Sequence, residues 1–170
     1  RDAWDMNAKE VEIEVKPDFE KKHRAQNVVG FIEGSKHPEK FIVFSAHYDH
    51  LGKMGKDVIF RGANDNASGV SMLLSLARHY SMAENEPPYS IAFIAFAGEE
   101  PGLEGSLQYV QQPVFPLKDI KFLINLDILG TGDEGITVVN GAVHKTEFEA
   151  LKGINEQRGY LKEVKKRGKA

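Results

Sequence analysis

The 170-residue sequence contains no cysteine. Disulfide bridges and thiolate metal sites are therefore excluded, although the compartment stays open, because extracytoplasmic proteins can also lack cysteine. Long apolar runs are missing too. No stretch approaches the roughly 20 residues needed to cross a bilayer, so no membrane span is expected. Nor is there an excess of positive charge. The formal net charge is −3, which gives no strong pull toward nucleic acid or anionic lipid. The basic "KKRGK" near the end then reads as a solvated stretch. Internal repeats, low-complexity segments and linker-like composition are absent as well.

What is present is ordinary globular composition, 41% hydrophobic and 28% charged, in a chain long enough for one domain with a sizeable core. The first residue is Arg1 rather than Met, and "LKEVKKRGKA" at the far end carries five basic residues and one acid. The expectation is one domain over residues 1–170, cut short at its C-terminus. An N-terminal segment removed upstream would fit a secreted or periplasmic protein.

Hydrophobic periodicity sets out the elements. "VEIEV" (11–15) alternates as a half-exposed strand does. "NVVGFIEG" (27–34) and "KFIVFSAH" (40–47) read as adjacent strands, arranged as a hairpin around "SKHPE". "NASGVSMLLSLARHYSMAE" (66–84) has Val70, Leu73, Leu74, Ala77 and Tyr80 at helical spacing, with Ser68 as the N-cap. "PPYSIAFIAFAG" (87–98) and "IKFLINLDILG" (120–130) are continuous apolar runs and predict buried strands. "LEGSLQYVQQ" (103–112) predicts a helix stopped by Pro113. "GITVVNG" (135–141) predicts a short strand, and "KTEFEALKGINEQRG" (145–159) an amphipathic helix. Alternating strands and helices imply an α/β fold: a three-layer sandwich with a mostly parallel mixed central sheet flanked by helices.

Polar residues collect where the apolar runs stop. "FIVFSA" leads into His47, Tyr48, Asp49 and His50. "FRGA" leads into Asn64, Asp65 and Asn66 just before a helix. "SIAFIAF" leads into Glu99 and Glu100, and "KFLIN" into Asp127. In parallel α/β sheets the carboxyl ends of the strands form the ligand crevice, so these side chains should converge at one edge. Carboxylates gathered there repel one another unless positive charge is supplied. A divalent cation supplies it, and imidazole mixed with carboxylate suits zinc, whereas an all-oxygen set suits magnesium or calcium. Two neighbouring glutamates can divide labour, one binding metal and the other taking a proton. Singly, each feature has a blander explanation. A histidine at a strand end is usually structural, a Glu-Glu pair is usually solvated, and "DNAS" is a good helix start.

Together, "AHYDHLG", "GANDNASG", "FAGEEPGLEGS" and "NLDILG" resemble, in order and spacing, the M28 family of zinc aminopeptidases over roughly residues 27–130. The resemblance implies two zinc ions. His47 and Asp127 would ligate one, Glu100 the other, and Asp65 would bridge them. Asp49 would orient the His47 ring, Glu99 would be the general base, and the Asp65–Asn66 peptide bond would be cis. The implied substrate is a peptide with a free N-terminus. The first block of the related M20-type peptidases reads His-x-Asp-x-Val-Pro, and "HYDHLG" departs from it. A single-zinc acyltransferase like glutaminyl cyclase, and a peptidase-like binding domain without metal, are the alternatives. The family also has a histidine ligand near its C-terminus that this chain lacks, since His144 lies too early and should start a surface helix. Among the other residues, His50 is expected to pack against the loop "LGKMGKDVIFRG". His23, His37 and His79 are expected to be solvated, and Trp4 and Tyr48 to lie in the core.

Overall fold

The apolar run "YSIAFIAF" forms a central strand, with Ile94 1% and Ala92 0% exposed. It belongs to a computed structural model that describes residues 9–10, 12–14, 20 and 22–170. In chain order the elements are β1 (Val28–Ile32), β2 (His37–His47), β3 (Lys53–Met54), β4 (Val58–Ile59) and α1 (Ala67–Tyr80). Then come β5 (Tyr89–Phe96), α2 (Glu104–Gln111), β6 (Ile120–Asn125), β7 (Ile136–Val138), α3 (Lys145–Arg158) and β8 (Val164–Lys166). Short 3-10 turns precede β5 and β6.

The main sheet has the order β1-β5-β2-β6. β2 pairs in parallel with β5 on one side and β6 on the other, while β1 runs antiparallel to β5. The expected hairpin of β1 and β2 therefore does not form, because β5 lies between them. That order also explains which runs are apolar on both faces. β5 and the second half of β2 are covered above and below, and each fully buried Ile or Val there contributes about 1.5–3 kcal/mol. β6, expected as a buried strand, is instead an edge among the described residues. Its burial alternates, and Leu123 is 47% exposed.

Helices cover both faces of the sheet. On one face Leu73 of α1 packs against Ala46, Ile91, Phe93 and Leu126. On the other, Tyr109 of α2 packs with Val43, Ala92, Ile94 and Phe115. The buried stripe of α1 runs through Val70, Leu73, Leu76, Ala77 and Tyr80. Leu74, expected on that stripe, is 65% exposed.

Beyond β6 the chain builds a separate two-stranded parallel sheet from β7 and β8. α3 connects the two strands and buries Phe148. Strand β8 shares Lys165 and Lys166, both exposed, with the "KKRGK" stretch expected to be solvated, and no strand was expected there. Of the expected strand over 11–15, residues 11 and 15 lie outside the described residues, and 12–14 carry no regular structure. Trp4 lies outside them too.

Candidate metal centre

The parallel pairing of β2, β5 and β6 brings their carboxyl ends to one edge of the sheet. His47 is the last residue of β2, Glu99 and Glu100 follow β5, and Asp127 follows β6. Asp65 arrives from the loop before α1. The six side chains proposed from sequence thus divide among four segments, and Asp49, Asp65, Glu99 and Asp127 gather around the His47 ring.

His47 is 3% exposed. Its Nε2 lies 3.0 Å from Asp65 Oδ1, 3.4 Å from Asp127 Oδ1 and 4.0 Å from Glu99 Oε2. On the opposite side of the ring, Nδ1 is 3.2 Å from the backbone carbonyl of Asp49. A carbonyl only accepts, so Nδ1 donates and the neutral ring turns the lone pair of Nε2 toward the carboxylates. The orienting contact assigned by resemblance to the Asp49 carboxylate is made by the carbonyl of the same residue, while the carboxylate stands 3.7 Å from Nδ1. That carboxylate accepts the backbone N–H groups of Glu99 and Glu100 at 3.1 and 3.2 Å. It thereby fixes the turn that carries both glutamates.

Asn66, rather than Ser68, caps α1. Its side-chain oxygen accepts the N–H of Gly69 at 3.0 Å and that of Ile128 at 3.3 Å. Its amide donates to the Leu126 carbonyl at 3.0 Å. One buried side chain thus ties the start of α1 to the loop that bears Asp127. Ser68 helps from two residues further on, donating to the Asn64 carbonyl and accepting from the Leu129 N–H. The preceding Asp65–Asn66 peptide bond is cis.

The electrostatics follow from crowding. Burial is the largest influence on the His47 ring and opposes its charged form. Glu99, Asp127, the Asp49 carbonyl and Asp65 together outweigh it, so the ring holds its proton above the ordinary histidine range. Glu99 is pushed up chiefly by burial, against the pull of His47, with Asp127, Glu100 and Asp49 adding to the rise.

Among the described residues, two groups of side chains present ligand atoms within 4.8 Å of one another: His47 with Asp65 and Asp127, and His50 with Asp65 and Glu100. Zinc bonds to nitrogen and oxygen at about 2.0–2.2 Å in a tetrahedron, which sets neighbouring donors about 3.3 Å apart. The spacings of 3.0 and 3.4 Å around His47 Nε2 fit one shared ion. One imidazole with two carboxylates is also a donor set that zinc accepts. Asp65 belongs to both groups.

His50 is the residue whose surroundings sequence reasoning described incompletely. Its ring does pack edge-on against Phe60 of the following loop, at 6.4 Å between centroids. It also reaches Glu100, with Nδ1 2.6 Å from Oε1. The signal available in sequence was its position, three residues after His47 in the same strand-end block. Tyr48, expected in the core, is 47% exposed, with its hydroxyl donating to the Gln26 carbonyl. His144 precedes α3 at the surface as expected, and His23, His37 and His79 are exposed. A cavity of about 280 Å3 opens beside His47 and Glu99, lined mainly by apolar residues that include Phe96, Leu103 and Leu123.

The chain is similar to known proteins in sequence and in fold. Peptidase family M28 matches residues 27–167. A probable zinc metalloprotease from Pyricularia oryzae is 38% identical over 116 residues, which cover 66% of this chain and 23% of that protein. The crystal structure of a zinc aminopeptidase from Bacillus subtilis superposes with a TM-score of 0.65 at 27% identity, over 84% of this chain and 34% of that one. A glutaminyl cyclase from Bacteroides thetaiotaomicron shares the fold, with a TM-score of 0.65 at 20% identity over 85% of this chain and 56% of that one. The chain spans 23% to 26% of the length of the curated relatives it matches.

Proposed function

The chain belongs to peptidase family M28, and from that membership we propose that it carries the metal centre of a zinc-dependent aminopeptidase. The observation that supports this reading best is the position of Asp65, whose carboxylate serves both ligand groups at the carboxyl edge of the sheet. A carboxylate shared in this way suits a pair of ions. His47 and Asp127 would hold one zinc, Glu100 the other, and Asp65 would lie between them.

Zinc bound there would supply Lewis acidity, polarising the scissile carbonyl and acidifying a water molecule. The other roles belong to the chain. Glu99 stands 4.0 Å from His47 Nε2 without being part of either ligand group. Its carboxylate is thus free to accept a proton at Oε2 and return it to the leaving amine. In the metal-free chain burial and the neighbouring carboxylates raise its proton affinity, and a general base works by taking up a proton and passing it on. Asp49 positions Glu99 through the backbone. The surrounding carboxylates would attract the free α-amino group of a peptide, which favours cleavage at the N-terminus.

The test is hydrolysis by the purified protein of two peptides that differ only in N-terminal acetylation. Release of the first residue from the free peptide alone, lost with a chelator and regained with zinc, is the expected result. Equal cleavage of both peptides would remove the aminopeptidase assignment. Ring closure of an N-terminal glutamine without peptide hydrolysis would replace it with the cyclase reading.

A further inference from the structure

We propose that Asn27 is a positioning residue for Glu99, holding the turn that carries this base from the side opposite Asp49. This rests on the aminopeptidase reading above and extends it to a residue outside the strand ends that bear the ligand groups.

Strand order brings Asn27 there. β5 lies between β1 and β2, and β1 runs antiparallel to it, with Val28 beside Ala95. The residue before β1 therefore stands next to the end of β5, where the Glu99 turn begins. Asp49 grips that turn from the β2 side through the N–H groups of Glu99 and Glu100. Asn27 grips it from the β1 side. Its side-chain oxygen accepts the Ala97 N–H at 3.1 Å, and its amide donates to the Gly105 carbonyl at 2.8 Å. One side chain thus joins the two ends of the segment that carries Glu99.

The chain is shaped to let those ends meet. A Cβ on Gly105 would run into the Ala97 carbonyl oxygen and lie 2.5 Å from Asn27 Oδ1. Glycine lets the first turn of α2 come this near. Between the two ends Leu103 holds φ +64°, a left-handed conformation that a leucine keeps only where its surroundings impose it. The bond from Glu104 N–H to the Gly98 carbonyl at 2.7 Å closes the turn from within, and Asn27 closes it from outside.

Asn27 is not a helix cap. Among the described residues no side chain caps α2, and Asn27 donates to a helix carbonyl instead of accepting the free N–H groups of the first turn. Nor does it merely end a strand. The carbonyl of the preceding Gln26 accepts the Tyr48 hydroxyl at 2.8 Å, and Tyr48 lies between His47 and Asp49. Gln26 and Asn27 together therefore set the loop after His47 and the turn bearing Glu99 in fixed relation, which is the relation proton transfer at the metal edge requires.

Double-mutant kinetics of the zinc-loaded protein test the proposal, with the unacetylated peptide of the preceding test as substrate. Asn27→Ala should lower kcat about 100-fold, the scale of a reacting group misplaced by about 1 Å. KM should change by less than about threefold, since the interaction lost acts in the transition state, and zinc content should stay the same. In a Glu99→Gln background the same substitution should change the residual kcat by less than about threefold, because the group that Asn27 positions is no longer a base. A residue that only supports the fold would lower the melting temperature and leave the kcat of folded protein unaltered, or lower kcat equally in both backgrounds. Either result overturns the proposal. Far-UV circular dichroism gives the folded fraction. Should Asn27→Ala not fold, the milder Asn27→Ser, which keeps a side-chain oxygen, enters the same cycle and the same outcomes decide. Hydrolysis that the substitution leaves at full kcat sinks this inference alone. Absence of hydrolysis by the unaltered protein with zinc sinks the aminopeptidase reading and this inference with it.

Discussion

The carboxylate of Asp49 accepts the backbone N–H of Glu99 at 3.1 Å, across 50 residues of sequence. With the parallel bond from Glu100 at 3.2 Å, it pins the strand-end turn to the loop after β2. Charge-assisted bonds to buried donors contribute about 1.5–3 kcal/mol each, and removing the acceptor leaves two donors unpaired. Asp49→Ala should therefore lower stability by about 2–4 kcal/mol in urea unfolding. Asp49→Asn, which keeps one acceptor oxygen, should lose less. Equal losses in the two variants would mean that these bonds contribute little.

Glu99 lies outside both ligand groups, so its function can be separated from metal binding. Glu99→Gln keeps the size and hydrogen-bonding capacity of the side chain but removes its basicity. Zinc content should stay at the unaltered value while kcat falls about 100- to 10,000-fold, the usual range for a lost general base. Unaltered kcat, with zinc confirmed by elemental analysis, would assign the proton transfer elsewhere.

Asp65 is common to both groups and should not be separable in this way. Asp65→Ala is expected to weaken both ions together. The increase in melting temperature that zinc gives the unaltered protein should shrink accordingly, because ligand stabilisation follows binding strength. Loss of one ion with full retention of the other would mean that Asp65 is not shared.

Much of this was legible in the sequence, and the reasons are local. The second half of β2 and most of β5 are apolar because both faces are covered there, and the chemistry-bearing residues stand where those runs end. Strand order was not legible. Nothing in "SKHPE" says that β5, some 50 residues later, will slip between β1 and β2. The continuous apolar run of β6 suggested two covered faces, yet Leu123 stands in the open at the sheet edge. β8 was hidden because only Val164 in a run of charges is apolar and buried. The cap of α1 was placed two residues late, since Ser68 and Asn66 are both good caps. Only the tertiary bonds to Leu126 and Ile128 select Asn66.

The close approach of α1 to the Asp127 loop predicts an unusual glycine effect. In an ordinary helix, glycine to alanine stabilises by up to about 1 kcal/mol. At Gly69 an added Cβ would run into the Leu126 carbonyl oxygen and the Asn66 side chain. Overpacking of this kind costs about 1–3 kcal/mol and should win. Gly69→Ala is expected to be destabilising in urea unfolding and to weaken zinc binding through displaced Asp127. A more stable variant would show that the loop yields freely.

The raised proton affinity of His47 gives the metal-stripped protein a defined pH response. Burial opposes the charged ring, but Glu99, Asp127, the Asp49 carbonyl and Asp65 outweigh it. The folded protein therefore binds this proton more tightly than the unfolded chain, whose imidazole titrates near about 6.5. The resulting stabilisation is fully present below that value and is lost as pH rises through the higher folded value. Zinc binding needs the neutral ring, so its contribution changes in the opposite direction and grows with pH. In melting experiments from about pH 5.5 to about pH 8, the gap between zinc-loaded and chelator-treated protein should widen steadily. With chelator present, His47→Gln should flatten part of the pH slope of the unaltered protein. If the gap stays constant across that range, His47 does not exchange its proton for a metal ion.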